Sequence, residues 1–200
     1  MTLYDKKGNE LTHADNFMFN QEPVLFYDVP EDSEYFLEIR DSIYRGREDF
    51  VYRVSIGELP FITYISPIGS RYDTSTAVHI FGKNLSAKTM NVFSKDRDYP
   101  IQYLNVGKEG FISNNVPFGF VDIPETNKIG VIDSRKNAQP IALPVVLNGC
   151  INVPGMKDNY SFAGKTDQQI SIEVMARRLG SPLDSIIVLY NSQGEKIIEN

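Results

Sequence analysis

Alternation of hydrophobic and polar residues dominates the chain and predicts β-strands. In "EYFLEIRD", residues 34–41, Tyr35, Leu37 and Ile39 share one face. The stretches "FVYRVSI", residues 50–56, and "ISIEVMA", residues 170–176, also place apolar residues at every second position. A period of two is typical of half-buried strands. The run "SIIVLYN" is apolar almost throughout, which predicts a central strand that is covered on both sides.

Turn-forming residues separate these stretches and define the predicted domains. Signals such as "KKGNE", "YRGRED" and "NSQGE" recur, and no convincing amphipathic helix interrupts them. Short strands with regular turns predict an all-β fold built of antiparallel β-sandwiches. "IGELP" and the polar stretch "VDIPETNKIG" mark two boundaries. We therefore predict three segments: 1–58, 59–121 and 122–200.

One nine-residue pattern occurs near both ends of the chain. "LYDKKGNEL" begins at Leu3 and "LYNSQGEKI" begins at Leu189, an offset of 186 positions. Each stretch reads as a strand, a tight turn and a returning strand. We expect Gly8 and Gly194 to adopt a positive φ, which such turns demand and which glycine adopts without steric cost.

The flanks of the second copy carry a family resemblance. "NGCI", "PGMKDNYSF", "IEVMARRLGSPLDS" and "LYNSQGEKI" resemble the bacterial pre-peptidase C-terminal (PPC) domain, a β-sandwich of secreted proteins. This resemblance implies that segment 122–200 is a linker plus the N-terminal half of such a module. The chain departs from the family at Met156 and Lys157, where an aspartate is usual, so any acidic cluster at this turn is thinned.

The N-terminal segment is similar to the other half of the same module. After "LYDKKGNEL" come a "PEDS" turn, the "YFLEIRD" stretch and the "DFVYRVSI" stretch, which resemble its closing strands. The resemblance implies jelly-roll-like modules, with the chain starting inside one copy and stopping inside the next. Whether the two halves complete one sandwich, within one chain or between two, stays open.

The middle segment resembles a different family. "ITYISPIGS" followed by "VHIFGKNL" is similar to the IPT/TIG domain, an immunoglobulin-like β-sandwich. We expect Gly82 to permit a sharp bend of the chain. We expect Asn84 to hydrogen-bond the local backbone and Leu85 to close one end of the sandwich.

The composition limits the classes of partner that the protein is expected to bind. The net charge of −6 is spread along the chain with no basic block, which argues against nucleic acid and anionic membrane surfaces. No apolar run approaches the length of a membrane span, so we predict no membrane insertion. Cys150 is the sole cysteine, which rules out an internal disulfide.

No catalytic residue is predicted. His13 lies beside a turn and His79 lies within a strand, and neither has a recognisable nucleophile partner. Cys150 lacks the cationic or helix-terminal setting that a reactive cysteine needs. The motifs of P-loop, dinucleotide-binding, zinc-protease and serine-hydrolase proteins are absent. We therefore expect that the protein is not an enzyme.

The residues with the most specific pattern form a predicted structural corner. We expect Gly180 to need a conformation closed to larger residues and Pro182 to fix the next turn. We expect Asp184 to accept hydrogen bonds from the backbone of the corner or from Arg178. This interpretation as a hairpin clasp is favoured over ligand binding. The corner residues are Arg177, Arg178, Gly180, Ser181, Pro182 and Asp184.

Two weaker binding hypotheses remain open. No cofactor is predicted, but loop oxygens of the kind that calcium prefers occur at Asp15, Asn16, Asp28, Glu31, Asp32 and Asp158. Tyr44, Tyr64 and Tyr72 are candidates for an exposed platform that binds sugar or peptide, although aromatic residues of sandwiches usually pack.

These observations together predict a non-catalytic accessory or interaction region of a larger exported bacterial protein. It would act as a spacer, stabilising or adhesion region in a secreted, periplasmic or cell-surface location. Expected partners are a surface polysaccharide or protein and other domains of the parent chain, with self-association as a further possibility. The alternatives are a carbohydrate- or protein-binding module, calcium-dependent or not, and a part of a secreted peptidase whose catalytic domain lies elsewhere.

Overall fold

The structure, a computed structural model that describes all 200 residues, is built almost entirely of β-strands. Antiparallel pairing predominates, which confirms the predicted all-β class, although three of the strand pairs are parallel. The only helical elements are two 3₁₀ turns, and no helix has the length and apolar character required to cross a lipid bilayer. The chain divides into two compact units, Met1–Ser55 and Ile56–Asn200.

The N-terminal unit contains one three-stranded sheet. Its strands are β1 (Thr2–Asp5), β2 (Glu10–His13) and β3 (Tyr35–Glu38), and β1 lies in the centre, antiparallel to both neighbours. The strand predicted in residues 34–41 is thus confirmed over four residues. The strand predicted in "FVYRVSI" is wrong, since residues 50–56 form no ladder and Val51 and Tyr52 are exposed.

Two three-stranded sheets and a small hairpin follow in residues 61–121. One sheet has the order β4–β6–β7, the other has the order β5–β11–β8, and β9 pairs with β10. The strands are β4 (Phe61–Ser66), β5 (Gly69–Arg71), β6 (Thr76–Lys83), β7 (Thr89–Val92), β8 (Ile101–Leu104), β9 (Gly107–Lys108), β10 (Phe111–Ile112) and β11 (Val116–Val121).

The two sheets share one hydrophobic core. Alternation in β6 buries Val78 and Ile80, and alternation in β11 buries Phe118 and Phe120. The opposite face of β6 carries His79 and Phe81, which are exposed. Period-two alternation therefore sorts side chains between core and solvent in these strands, as expected for a strand with one buried face. The core comprises Ile62, Ile65, Tyr72, Val78, Ile80, Val92, Leu104, Val106, Val116, Phe118 and Phe120.

The end of β6 shows why glycine and asparagine occur in "FGKNL". A Cβ atom at Gly82 would lie 1.9 Å from the carbonyl oxygen of Phe61, so a larger residue would collide with β4. Close approach of the two backbones, beside an irregularity in their register, is the requirement for this glycine. Asn84 Nδ2 donates to Leu59 O at 3.2 Å, so it bonds a backbone group 25 positions away and not the local backbone that was expected. Leu85 packs against the core.

Residues 122–200 form short, separated strand pairs. β12 pairs with β14 and β13 pairs with β15, both in parallel, and β16 forms an antiparallel hairpin with β17. The 3₁₀ turns are Arg135–Asn137 and Arg177–Leu179. The strands are β12 (Glu125–Asn127), β13 (Gln139–Pro140), β14 (Val146–Asn148), β15 (Tyr160–Ser161), β16 (Val188–Tyr190) and β17 (Lys196–Glu199).

One strand prediction in this segment is wrong, and a second is confirmed only in part. "ISIEVMA" forms no ladder, and its apolar residues Ile170, Ile172 and Val174 are exposed. "SIIVLYN" contributes only β16, whose single partner is β17, so it is not a central strand covered on both sides. Ile186 is 71% exposed. A hydrophobic run specifies a strand but does not supply the neighbours that would bury it.

The repeated nine-residue pattern forms the same turn twice. In each hairpin the backbone of the fifth residue before the returning strand makes two hydrogen bonds of 3.0 Å. Its C=O accepts from the N–H three positions ahead, and its N–H donates to the C=O four positions ahead. Both strands also have a register irregularity between the leucine and the tyrosine. Gly8 has φ of 83° and Gly194 has φ of 89°, which confirms the expected positive φ. The matching residues are Asp5, Gly8 and Asn9, and Asn191, Gly194 and Glu195.

Candidate functional site

The predicted corner is a 3₁₀ turn closed by a left-handed glycine. Gly180 has φ of 78° and ψ of 5°, and its N–H donates to Arg177 O at 3.1 Å. Ser181 N donates to Ala176 O at 3.0 Å, which closes the turn from the other side. The expectation that Gly180 occupies a conformation unfavourable for larger residues is therefore confirmed.

The corner is anchored by one leucine on strand β11. Leu179 is 4% exposed, and a Cβ atom on Gly119 would lie 3.2 Å from Leu179 Cδ1. Gly180 lies beside Pro117 of the same strand. Gly119 thus leaves the space that Leu179 fills, on the side of β11 facing away from Phe118 and Phe120. The corner consequently connects residues 122–200 to the two-sheet region within the C-terminal unit.

The expected role of Asp184 is wrong. Its carboxylate is 89% exposed and lies 3.6 Å from Arg177 Nη2, and it accepts no backbone hydrogen bond in the corner. Arg178 pairs instead with Glu173, with 2.5 Å between Nη2 and Oε1. The hydroxyl of Ser181 accepts the Leu183 N–H at 3.3 Å. The hydrogen-bond acceptor for the backbone of the corner is therefore the Ser181 side chain and not the Asp184 carboxylate.

A depression of about 200 Å³ lies beside the corner. Both arginines of its rim are already paired with carboxylates, and all four charged side chains are more than half exposed. Exposed ion pairs of this kind contribute little stability, on the order of 0–1 kcal/mol. The depression is lined by Val174, Ala176, Arg177, Arg178, Leu183, Asp184 and Ser185.

The nucleophilic and basic side chains are placed in separate settings. His13 Nδ1 lies 3.0 Å from Thr2 Oγ1 in the β1–β2 hairpin. His79 lies on the exposed face of β6, directly across from Ser66 on β4. Cys150 is exposed and follows β14. These positions form no nucleophile–base–carboxylate arrangement in either unit.

The six oxygen-bearing residues weighed for calcium do not make a metal cluster. No group of three or more His, Cys, Asp or Glu side chains is placed to hold a metal ion. Asp158 is instead engaged by Lys128, whose Nζ lies 2.5 Å from its Oδ1.

The three tyrosines differ in exposure. Tyr44 is 77% exposed and Tyr64 is 50% exposed, whereas Tyr72 is buried at 5% and stacks on Phe120. The interpretation of Tyr72 as an exposed platform residue is therefore wrong. Tyr64 stacks on Phe81, its cross-strand partner on the outer face of the β4–β6 pair, with ring centroids 4.3 Å apart.

An arginine-centred cluster covers Tyr72. The Arg97 guanidinium lies 4.9 Å from the Tyr72 ring centre and donates to the carboxylates of Asp122 and Asp73. These hydrogen bonds from Arg97 lower the pKa of Asp122, whereas burial raises the pKa of Tyr72. The Tyr72 hydroxyl is buried without a hydrogen-bond partner. The cluster joins three loops at one end of the core.

Sequence reasoning missed two contacts. Lys128 carries no motif signal, although it is mostly buried against Asp158. Arg97 likewise gave no signal, because its partners Asp73 and Asp122 lie more than 20 positions away in the chain. Comparisons with protein-family models, curated proteins and solved structures found no match for this chain.

Proposed function

We propose that this protein is a non-catalytic accessory and interaction region of an exported bacterial protein, built of an immunoglobulin-like domain and PPC-like segments. The observation that supports it best is the use made of the corner. Its residues form a backbone turn that places Leu179 against Gly119, and they do not converge on a ligand site. Such a contact stiffens a spacer, because it ties residues 122–200 to the two-sheet core.

Enzyme assays test the absence of catalysis. Purified protein is incubated with a casein substrate, a peptide library and a panel of polysaccharides, alongside His13→Ala and His79→Ala variants. The expected result is no turnover above buffer for any of the three proteins. Turnover by the unsubstituted protein that either substitution abolishes would contradict the proposal, because it would show a histidine-dependent site.

A second candidate function, carbohydrate or protein binding, is favoured by the Tyr64–Phe81 pair. The two rings are parallel within 8°, and both remain 40–50% exposed on the outer face of the sheet. Aromatic faces of this kind stack on sugar rings and on peptide side chains. A stacked cross-strand pair also stabilises a sheet by itself, so binding has to be measured.

A glycan array with and without calcium tests this second function. Binding that Tyr64→Ala removes and that Tyr44→Ala retains would support a platform on β4 and β6. The Tyr44 variant is the control, because this tyrosine is exposed but lies in the N-terminal unit. Equal binding by the two variants would contradict it.

A further inference from the structure

Lys128 and Asp158 form an unusually enclosed contact between an amine and a carboxyl group. Their side chains are 16% and 12% exposed, and Nζ lies 2.5 Å from Oδ1. At that distance a hydrogen bond is expected, yet the buried Oδ1 accepts none. The amine therefore lies against the carboxyl group without the alignment of an ordinary ion pair.

The protons of the Lys128 amine are directed elsewhere. Nζ donates to Cys150 O at 3.3 Å and to the Met156 sulfur at 3.7 Å. These two contacts hold the nitrogen in place, with Nζ 2.5 Å from Asp158 Oδ1.

Backbone hydrogen bonds fix the positions of Lys128 and Asp158. Lys128 follows β12, and its N–H donates to Asn148 O at 2.8 Å, which extends the β12–β14 ladder. Asp158 precedes Asn159, whose backbone N–H and side-chain amide both donate to Ile132 O. Two groups held this way react as if at very high concentration, which replaces a bimolecular encounter by a unimolecular step.

Gly149 and Tyr160 enclose the other side of the carboxyl group. A Cβ atom on Gly149 would lie 3.4 Å from Asp158 Oδ2 and 3.3 Å from the Tyr160 hydroxyl, so glycine is what admits both. Burial raises the pKa of Tyr160, and the negative charge of Asp158 adds to this shift. The phenol therefore stays protonated beside the carboxyl group.

From this geometry we propose that Lys128 and Asp158 join in an intramolecular isopeptide bond. A proton passes from the ammonium group to the carboxylate, which gives a neutral amine and a carboxylic acid. The Nζ lone pair then attacks Cγ and forms the N–C bond. The C–O bond to the hydroxyl breaks, and this oxygen leaves as water with a second proton from Nζ. The balance is one ammonium and one carboxylate giving one amide and one water, with no redox change.

The bond would close a loop between β12 and β15 within the C-terminal unit. A covalent link that joins distant positions restricts the unfolded chain, as a disulfide does. Unlike a disulfide, an amide does not depend on the redox state of the surroundings. This chain has a single cysteine and no disulfide, so the link would supply the cross-linking that thiols do not provide.

Intact-mass spectrometry of the denatured full chain tests the proposal. The expected mass is lower than that of the sequence by one water molecule. Trypsin should leave Lys128 uncut and release one branched peptide that contains both Lys128 and Asp158. Lys128→Arg, which keeps the charge but forms no such amide, should restore the full mass. Lys157→Arg, an exposed neighbouring lysine, should keep the loss of water.

Two outcomes would overturn the proposal. One is the full sequence mass for folded protein after prolonged incubation at neutral pH. The other is a loss of water that persists in Lys128→Arg, because this would show a succinimide or another dehydration that does not involve the lysine.

Discussion

Two parts of the C-terminal unit differ in how their hydrophobic residues are used. Residues 61–121 place eleven buried hydrophobic side chains in one core between two sheets. Residues 122–200 bury only three hydrophobic side chains, Ile132, Ala176 and Leu179, although their sequence also contains alternating apolar stretches. Hydrophobic content alone therefore does not decide how a segment is stabilised.

The difference lies in strand pairing. Each of the two main sheets of residues 61–121 has three strands, and its inner face meets the other sheet. The strands of residues 122–200 occur in pairs, and two-stranded pairs are marginal without packing against another element. This segment depends on a few separate contacts, among them Leu179 on Gly119 and Lys128 against Asp158.

The largest effect is expected in the shared core. Phe118 is fully buried, so Phe118→Ala should lower the free energy of unfolding by about 3–5 kcal/mol through lost burial and the cavity left behind. Urea denaturation measures it. Phe111→Ala, at a residue 55% exposed, is the matched control and should cost far less. Similar losses for the two variants would contradict a core centred on Phe118.

Removing the anchor of the corner should have the next largest effect. Leu179→Ala deletes a buried side chain, which typically costs about 2–5 kcal/mol. Because the corner is anchored to β11 through the one side chain of Leu179, we expect the loss of stability to appear first as faster hydrogen exchange at residues 176–184. Leu183→Ala, at a residue 37% exposed, is the control. An unchanged exchange rate in Leu179→Ala would show that the corner is held by other contacts.

The glycine at the end of β6 should be the next most sensitive position. A methyl group at Gly82 would overlap Phe61 O, and strain of this kind costs about 1–3 kcal/mol. The melting temperature of Gly82→Ala should therefore fall. Gly164→Ala places its methyl group in open space and should melt like the original protein. If both variants melt alike, the backbones are not in the close contact described here.

The smallest effect is expected at Asp184. Because this residue is highly exposed and 3.6 Å from Arg177, Asp184→Ala should change the free energy of unfolding by less than about 0.5 kcal/mol. Ser181→Ala removes the acceptor of the Leu183 N–H and should cost more. A larger loss in the Asp184 variant, measured in the same urea titration, would restore the role that the sequence suggested for Asp184.

The sequence predicts local conformation better than it predicts partners. The all-β class, the strand around Leu37, and the positive φ at Gly8, Gly180 and Gly194 are all confirmed. These features depend on residues close together in the chain, through alternation or the lack of a Cβ atom.

The failures concern contacts between distant residues. Ile170, Ile172 and Val174 alternate correctly but meet no partner strand, so their pattern does not produce a ladder. Asp184 lies near two arginines in sequence, and only the fold decides that Arg178 turns to Glu173. Lys128 and Asp158 are separated by 30 positions, and no local signal joins them.

Native-state hydrogen exchange distinguishes the two parts of the C-terminal unit most clearly. The amides of β4, β6 and β11 should exchange only through global unfolding, because they belong to the shared core. The amides of β12–β17 should exchange through local opening at lower free energy, with Leu179 and Gly180 among the best protected of this segment. Equal exchange free energies across residues 61–200 would contradict a single stable core with a segment held by a few anchors.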